Sequence, residues 1–144
     1  MAERYTRDEL VARLVRAGEI EVTGEDLETV GEYFAPGFEF NGPDGSVADF
    51  DGLLNYFASM RAGFEDRSIR RGIIVVEGNT IACQTWIEGT FVREFTQSPI
   101  GPLQPNGRKI VWPLLNIFVM DDDGRILTEW ASTDNTTVLE QLQA

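Results

Sequence analysis

The sequence predicts an α+β domain in which three helices cover one face of a curved antiparallel sheet. In the first part of the chain, apolar residues recur at helical spacing after capping residues. From Arg70 onward they alternate with polar residues, as they do in strands. A tight acidic turn at 121–124 joins two long strands and is the strongest hairpin signal in the chain.

The helices are predicted from their caps and stops. Residues 6–9 fit a capping box at the start of the first helix, and Gly18 is expected to end that helix. A short second helix is expected over 24–34. Asp49 or Asp51 would cap the third helix, which carries apolar residues at helical spacing.

One short strand is expected between the second and third helices, and four longer strands follow the third. They span residues 38–41, 73–77, 80–95 and the two halves of 107–134. A loop rich in Pro and Gly over 98–106 precedes the last two strands. Asp134 is expected to cap a final helical turn at 136–142. A sheet closed on one side by helices leaves an apolar cavity at its open end, where a small ligand would bind.

The length and composition predict one soluble domain over residues 1–144. The chain is 42% hydrophobic and 25% charged, which is ordinary for a globular protein. No apolar run approaches the roughly 20 residues that span a membrane, and the first residues lack the apolar stretch of a secretory signal. The single cysteine, Cys83, cannot form an intrachain disulfide, so a cytoplasmic location is expected.

The charge balance and the absence of histidine narrow the function. A net charge of −12 disfavours nucleic acid and anionic membranes as partners. The only close basic group, 67–71, is expected to be a solvated face. No histidine is present, which removes the usual general base and zinc ligand, and no metal or phosphate motif is found. No metal or cofactor is therefore expected, and any catalysis must use carboxylates, amides, tyrosines or water.

Several short motifs in this order resemble the SnoaL-like polyketide cyclases of the nuclear transport factor 2-like superfamily. They are Asn41 on a short strand, 78–82, 86–91, 105–110, 123–126, Trp130, Asp134 and 139–142. The resemblance covers nearly the whole chain and implies a cone-shaped α+β fold. It is more specific for fold than for function, because one scaffold hosts many reactions.

The sequence departs from this family at the positions that carry acid/base chemistry. The cyclases place an aspartate on the last strand where this chain has Ala131. The family's pocket histidine falls at Asn116 or Ile117. Alanine cannot transfer a proton, so another residue must take that role if the protein is an enzyme.

Glu129 is the nearest replacement for the missing aspartate. It lies two residues before Ala131, hence on the same face of the same strand. A carboxylate in an apolar cavity has a raised pKa and can act as acid or base near neutral pH. The alternative is a cross-strand ion pair with an arginine such as Arg93 or Arg108.

Two asparagines complete the candidate catalytic set. Asn41 lies where the superfamily often places a group that binds substrate or its water, although it also suits the turn before Gly42. Asn116 interrupts an apolar row, where it could orient a carbonyl or water, or be a satisfied core amide.

The remaining candidate site residues are apolar or aromatic and would shape the cavity. They are Phe40, Tyr56, Phe57, Met60, Trp86, Trp112, Phe118 and Ala131. The residues of 56–60 also suit a core or pocket wall. Trp86 shares a strand face with Gln84 and Glu88, and the sequence leaves open whether that face meets the pocket or an interface.

The resemblance implies a cofactor-independent acid/base enzyme acting on a hydrophobic polyketide- or terpenoid-like molecule. The reaction would be a cyclisation, an isomerisation or an epoxide opening, with Glu129 transferring the proton. One alternative is a non-catalytic binding protein that lost its acid at Ala131, and another is a structural module whose cavity is filled. Because the strand before the acidic turn is apolar on both faces, a homodimer packed sheet to sheet is expected, as the resemblance also suggests.

Overall fold

The secondary structure follows the predicted order, with a longer first helix and a longer third strand. A computed structural model of the chain describes residues 5–144, so residues 1–4 of the predicted domain lie outside the described part. The helices are α1 (Arg7–Thr23), a 3-10 helix (Leu27–Tyr33), α2 (Phe50–Gly63) and α3 (Asn135–Leu142). The strands are β1 (Phe34–Asn41), β2 (Val47–Ala48), β3 (Phe64–Glu77), β4 (Thr80–Phe91), β5 (Phe95–Ser98), β6 (Gly101–Leu103), β7 (Lys109–Met120) and β8 (Ile126–Ser132).

Six of the strands form one sheet in the order β2-β1-β8-β7-β4-β3. Neighbouring strands are antiparallel except β1 and β8, which run parallel. The predicted 98–106 loop instead contains most of a small separate hairpin, β5–β6. The α+β fold with a curved sheet is confirmed, and the parallel pair is the one departure from the expected antiparallel sheet.

The first helix does not end at Gly18, as the sequence suggested, but continues for more than a turn. Its start is the predicted capping box: the Thr6 hydroxyl accepts from the Glu9 amide at 3.1 Å, and the Glu9 carboxylate accepts from the Thr6 amide at 2.8 Å. Its end is Gly24, whose φ of 79° suits glycine. An interior glycine costs a helix about 1 kcal/mol, which packing against the sheet offsets.

Two arginines satisfy the free carbonyls in the last turn of α1. Arg61 donates to the main-chain oxygen of Glu21. Arg67 donates to the main-chain oxygens of Val22 at 2.8 Å and Thr23 at 3.2 Å. Side-chain donors at a helix C-terminus are favourable because those carbonyls lack intrahelical partners. The expectation of a solvated basic face is therefore wrong for Arg67.

Strand β3 is much longer than predicted, and two bulges bend it around the sheet. Its pairing with β4 shifts between Glu65 and Ser68 and again between Arg71 and Ile74. A bulge inserts a residue on one strand, increases twist and re-aims the side chains that follow it. These breaks interrupt the alternation of apolar and polar residues along the strand. The sequence therefore predicted only its last part, 73–77.

The predicted turn and the predicted helix cap in the C-terminal third are confirmed. The Asp121 amide donates to the Arg125 carbonyl at 2.8 Å, and the Asp121 carboxylate accepts from the Arg125 amide at 2.9 Å. Gly124 has φ 70°, which glycine adopts freely. Asp134 caps α3 by accepting from the amides of Thr136 and Thr137.

The apolar core consists of two clusters that enclose a cavity. One cluster joins α1 to the ends of β4, β7 and β8 near the acidic turn, and includes Leu14 and Phe118. The other joins α2 and α3 to the opposite ends of the strands, and includes Met60 and Trp112. Because residues of both clusters line the space between them, the cavity lies at the centre of the inner sheet face. Within residues 5–144, no helix is both long and apolar enough to cross a membrane.

The outer face of the same sheet carries an exposed apolar patch. It consists of Ile73 (65% exposed), Val75 (57%), Leu115 (62%), Ile117 (46%) and Trp130 (45%). The register makes these residues neighbours: Trp130 pairs with Ile117, Ile117 with Ala82, and Ala82 with Val75. The patch thus crosses four adjacent strands, and we call it the outer apolar patch.

Candidate active site

The cavity has a volume of about 360 Å³ and lies between the inner sheet face and helices α1 and α2. Ligand sites of small molecules commonly measure ~300–1,000 Å³. Its walls are largely apolar, and exposed residues of 43–46 and 97–99 form its mouth. The polar side chains deep inside it therefore stand out chemically.

A chain of hydrogen bonds crosses the sheet wall of this cavity. Arg71 donates from Nη1 to Thr85 Oγ1 at 2.7 Å, and Thr85 donates to Asn116 Oδ1 at 2.7 Å. Asn116 donates from Nδ2 to Glu129 Oε2 at 3.2 Å. A guanidinium can only donate, so the Thr85 proton must point to Asn116 and the Asn116 amide hydrogens to Glu129. The chain thus has one direction and ends on a carboxylate oxygen.

Glu129 is the acceptor at the end of this chain. It lies on β8 beside Ala131, and both side chains line the cavity, as the strand alternation predicted. Burial raises the pKa of Glu129 to about 7, against the lowering effects of the Arg71 charge and the Asn116 hydrogen bond. A group with this pKa is present in both protonation states near neutral pH, as acid/base catalysis requires. The suggested ion pairs with Arg93 or Arg108 are not formed: Arg93 bonds Glu65, and Arg71 is the arginine that acts on Glu129.

Strand β3 and helix α1 together allow the Arg71 side chain to enter the cavity. It precedes the second bulge of β3 and is paired with Thr85. Opposite it, α1 carries Gly18, where an added Cβ would lie 2.5 Å from Arg71 Nη2. A side chain at position 18 would occupy the space of the guanidinium. Arg71 therefore does not belong to a solvated face, contrary to the expectation from sequence.

A second carboxyl group, Glu21, enters the cavity from α1. Its side chain is buried, with 7% of its surface exposed, and its Oε2 has no hydrogen-bond partner. Burial and then the negative charge of Glu129 raise the pKa of Glu21 well above its ordinary value, while Arg71 and Arg61 oppose the shift. Two acidic groups, one arginine and two neutral polar side chains thus share one apolar space.

Seven of the eight predicted substrate-binding residues line the cavity. They are Phe40, Tyr56, Phe57, Met60, Trp112, Phe118 and Ala131. Burial also raises the pKa of Tyr56 to about 12, so its hydroxyl is neutral at ordinary pH. Trp86 lies on the outer face, where Arg70 stacks 4.1 Å from the centre of its ring. The alternation of β4 decides this, because Thr85 and Ile87 face the cavity.

Of the three predicted catalytic residues, the structure brings Glu129 and Asn116 together and leaves Asn41 outside the lining. The Asn41 amide donates to the main-chain oxygen of Glu129 at 3.2 Å. This bond joins β1 to β8 behind the carboxylate and fixes where that strand lies. Asn41 is thus neither a turn residue bonded to its own backbone nor a group exposed in the cavity.

Three residues of the site, Glu21, Arg71 and Thr85, were not predicted from the sequence. Glu21 continues the buried row of Leu10, Leu14 and Ala17 at helical spacing, but it lies beyond Gly18, where the first helix was expected to end. Arg71 was hidden by the bulge that follows it. Within residues 5–144, no cluster of three or more metal-ligating side chains occurs.

The fold and the site define a small α+β protein with acidic groups inside an apolar cavity. The family model described as SnoaL-like polyketide cyclase matches residues 12–142. The chain therefore belongs to the SnoaL-like polyketide cyclase family. No curated protein sequence shows significant similarity to it.

Solved structures with this fold include proteins of several bacteria. IdmH, a candidate polyketide cyclase from Streptomyces antibioticus, is 28% identical with a TM-score of 0.73, over 97% of this chain and 100% of that chain. TsrD from Streptomyces laurentii is 21% identical with a TM-score of 0.76, over 96% and 97% of the two chains. A candidate SnoaL-like polyketide cyclase from Jannaschia sp. CCS1 is 19% identical with a TM-score of 0.76, over 94% and 92%. The last two likenesses concern the fold.

Proposed function

We propose that the protein is a cofactor-independent acid/base enzyme of the cyclase type, with Glu129 as its proton-transfer group. The observation that carries this proposal is a carboxylate with a pKa of about 7, held by a directed hydrogen-bond chain in an apolar cavity. The substrate would be a hydrophobic, oxygenated small molecule of polyketide or terpenoid character, since most of the lining is apolar.

The mechanism follows from one base next to the substrate. As a carboxylate, Glu129 takes a proton from a carbon beside a substrate carbonyl, and the C–H electron pair becomes an enolate. The enolate carbon then attacks a second carbonyl of the same molecule and forms the ring bond. Glu129 returns its proton to the resulting alkoxide oxygen. Electrons and protons balance without an oxidant or reductant, and isomerisation or epoxide opening would use the same transfer.

The other predicted residues act as positioning groups in this proposal. Asn116 and, through Thr85, Arg71 hold the Glu129 carboxylate in one orientation. Asn41 fixes the backbone of Glu129 from behind. Family membership and the 28% identity to IdmH support a cyclase-type reaction for this chain.

The proposal is tested with 2-tetralone, a bicyclic ketone whose acidic C–H bonds exchange slowly in D₂O. We expect the protein to accelerate this exchange, followed by proton NMR, and Glu129→Gln to lose about 10²–10⁴-fold of the acceleration. Glu39→Gln, which changes an exposed glutamate of β1, is the matched control and should exchange as the wild type does. Exchange unaltered in Glu129→Gln would overturn the assignment.

A non-catalytic binding protein on the same scaffold is the second candidate, and Ala131 favours it. This residue lies in the cavity wall and is paired with Asn116, at the family's aspartate position. Ala131→Asp distinguishes the two functions. A gain of exchange activity in that variant, with none in the wild type, indicates a binding protein derived from a cyclase. Activity that depends on Glu129 and gains nothing from the added aspartate indicates a distinct enzyme.

The proposed assembly is a homodimer in which the outer apolar patches of two copies pack against each other. The patch covers four adjacent strands and is self-complementary about a twofold axis, because apolar surface meets apolar surface. Exposed apolar patches of this kind are typical of interaction sites. A cytoplasmic location remains part of the proposal and rests on the single cysteine, Cys83.

A further inference from the structure

The proposed mechanism leaves one buried titratable group unused, the carboxyl of Glu21. Its Oε2 is the only fully buried side-chain nitrogen or oxygen atom of residues 5–144 without a hydrogen-bond partner. Leaving such an atom unpaired is unfavourable, because it has lost its hydrogen bonds to water without gaining others. Glu21 lines the cavity, so its carboxyl group lies beside the space where a ligand would bind.

The charges near Glu21 do not neutralise it. Arg61 is directed to the main-chain oxygen of Glu21 and Arg67 to the two carbonyls that follow. Arg71 donates to Thr85 on the sheet wall. No ion pair reaches the Glu21 carboxyl within the described part of the chain. The nearby arginines are thus committed elsewhere, to carbonyls and to a hydroxyl.

The groups facing Glu21 favour its neutral form. Desolvation is the largest effect, and the charge of Glu129 from β8 adds to it, so the pKa of Glu21 lies well above the ordinary range. Arg71 from β3 and Arg61 from α2 lower that pKa without cancelling the shift. A neutral carboxyl carries an O–H donor, whereas an ionised one only accepts. The surroundings of Glu21 therefore favour a carboxyl group that can donate a hydrogen bond.

We propose that Glu21 is a second catalytic residue, which as a neutral acid donates a hydrogen bond to the substrate oxygen where negative charge develops. This inference rests on the proposed function, because Glu129 must first remove the proton. The proposal also places two parts of the substrate against two different walls of the cavity. The acidic C–H faces β8 of the sheet, and the carbonyl oxygen faces the last turn of α1.

The proton balance of this step is closed. When Glu129 takes the carbon-bound proton, the electron pair moves onto the carbonyl oxygen, which accepts the hydrogen bond from Glu21. When the new ring bond forms, the carbonyl is restored, and the proton remains on Glu21. A preorganised donor at a developing oxyanion is among the largest contributions to catalysis in a site that excludes water.

The inference predicts a preference for ligands that resemble an enol. The probe is 2-naphthol, an aromatic analogue of the enol of 2-tetralone, and its binding is followed by fluorescence. Glu21→Leu should weaken binding about 10- to 100-fold and slow 2-tetralone exchange by a similar factor, as expected for a lost hydrogen bond to a charged oxygen. Glu21→Gln keeps an N–H donor and should retain part of the 2-naphthol affinity and part of the exchange rate. Glu19→Gln, an exposed change on the same helix, should alter neither.

A second measurement reads the proton on Glu21 directly. The infrared difference spectrum between the wild type and Glu21→Gln at neutral pH should contain the C=O band of a carboxylic acid. A carboxylate band in its place overturns the inference. The inference is also overturned if the wild type does not bind 2-naphthol, or if Glu21→Leu binds it as tightly as the wild type does.

These outcomes separate the two proposals. Exchange that survives in Glu129→Gln rejects the proposed function, while the infrared and 2-naphthol results still decide whether Glu21 is a neutral donor. Exchange that depends on Glu129 but not on Glu21 supports the proposed function and rejects the inference. Glu21→Leu removes an unpaired polar atom and should fold at least as stably as the wild type, so loss of structure does not obscure the result.

Discussion

The two faces of the sheet carry opposite exceptions to the usual pattern of a half-buried sheet. The inner face carries a directed polar chain and a carboxylate in an apolar space, and the outer face carries an exposed apolar patch. Antiparallel sheets commonly place apolar residues inward and polar ones outward. These exceptions are the surfaces to which the proposals assign a function: the inner polar residues to chemistry and the outer apolar residues to association.

The largest expected effect is on the outer face. In the double variant Leu115→Lys, Ile117→Lys, like charges would meet across the proposed twofold axis, so the proposed dimer should weaken by at least about 10³-fold. Sedimentation equilibrium measures this change. Gln143→Lys, an exposed change outside the patch, is the control and should remain dimeric. A wild type that is monomeric at high concentration would contradict the proposed dimer.

On the inner face, the raised pKa of Glu129 makes stability depend on pH. The folded pKa is about 7 against an ordinary 4.5, so the folded state binds more protons between these values. Stability from this group is complete below the ordinary pKa and is lost as pH rises to about 7. The free energy of unfolding of the wild type, relative to Glu129→Gln, should fall by up to about 3 kcal/mol across this window. Urea titrations at several pH values test this, and a difference that is constant or rises with pH would be the opposite result.

The polar chain itself is tested by Asn116→Leu. The variant removes the hydrogen bond that lowers the pKa of Glu129, so that pKa should rise further, by about one unit. The midpoint of the exchange–pH profile should move upward by the same amount, with roughly fivefold less activity at pH 7 because less of Glu129 is ionised. Asn79→Leu changes an amide outside the cavity, bonded to the Met120 carbonyl, and should leave the midpoint in place. A midpoint unchanged in Asn116→Leu would mean that the amide does not control Glu129.

The smallest effect is expected at Gly18. Replacing an interior helical glycine with alanine normally stabilises a helix by about 1 kcal/mol. Here the new Cβ would lie 2.5 Å from Arg71 Nη2, so the guanidinium must move. We expect Gly18→Ala to gain no stability and to exchange a few-fold more slowly, whereas Gly31→Ala, with open space around its Cβ, should not slow exchange. Thermal denaturation and the 2-tetralone assay together measure both effects.

The sequence predicted the structure correctly wherever one regular spacing of apolar residues ran through a whole element. The two-residue period of β8 placed Glu129 beside Ala131 in the cavity, and turn chemistry located the acidic hairpin and the Asp134 cap. The sequence was uninformative where distant residues decided the outcome. Arg61 and Arg67 support the end of α1 past Gly18 from another helix and strand, and without that extension Glu21 could not be recognised.

Face assignments on the other strands required knowledge of pairing. Trp86 belongs to a regular alternation, but that alternation does not say which of its two rows faces inward. Thr85 became recognisable only when Arg71 and Asn116 were seen on either side of it. The cavity lining contributed by α2, in contrast, followed from helical spacing alone, because one face of a helix beside a sheet must be covered.

The second bulge of β3 changes which residues of the strand face inward. Before it, odd-numbered Ile69 and Arg71 face the cavity, and after it, even-numbered Ile74 and Val76 pack into the core. Without the bulge, a strand of the same length would turn Ile73 and Val75 inward instead. The extra residue therefore keeps those two side chains in the outer apolar patch. One extra residue in the middle of a strand thus decides both which side chains the core contains and which apolar side chains the outer surface exposes.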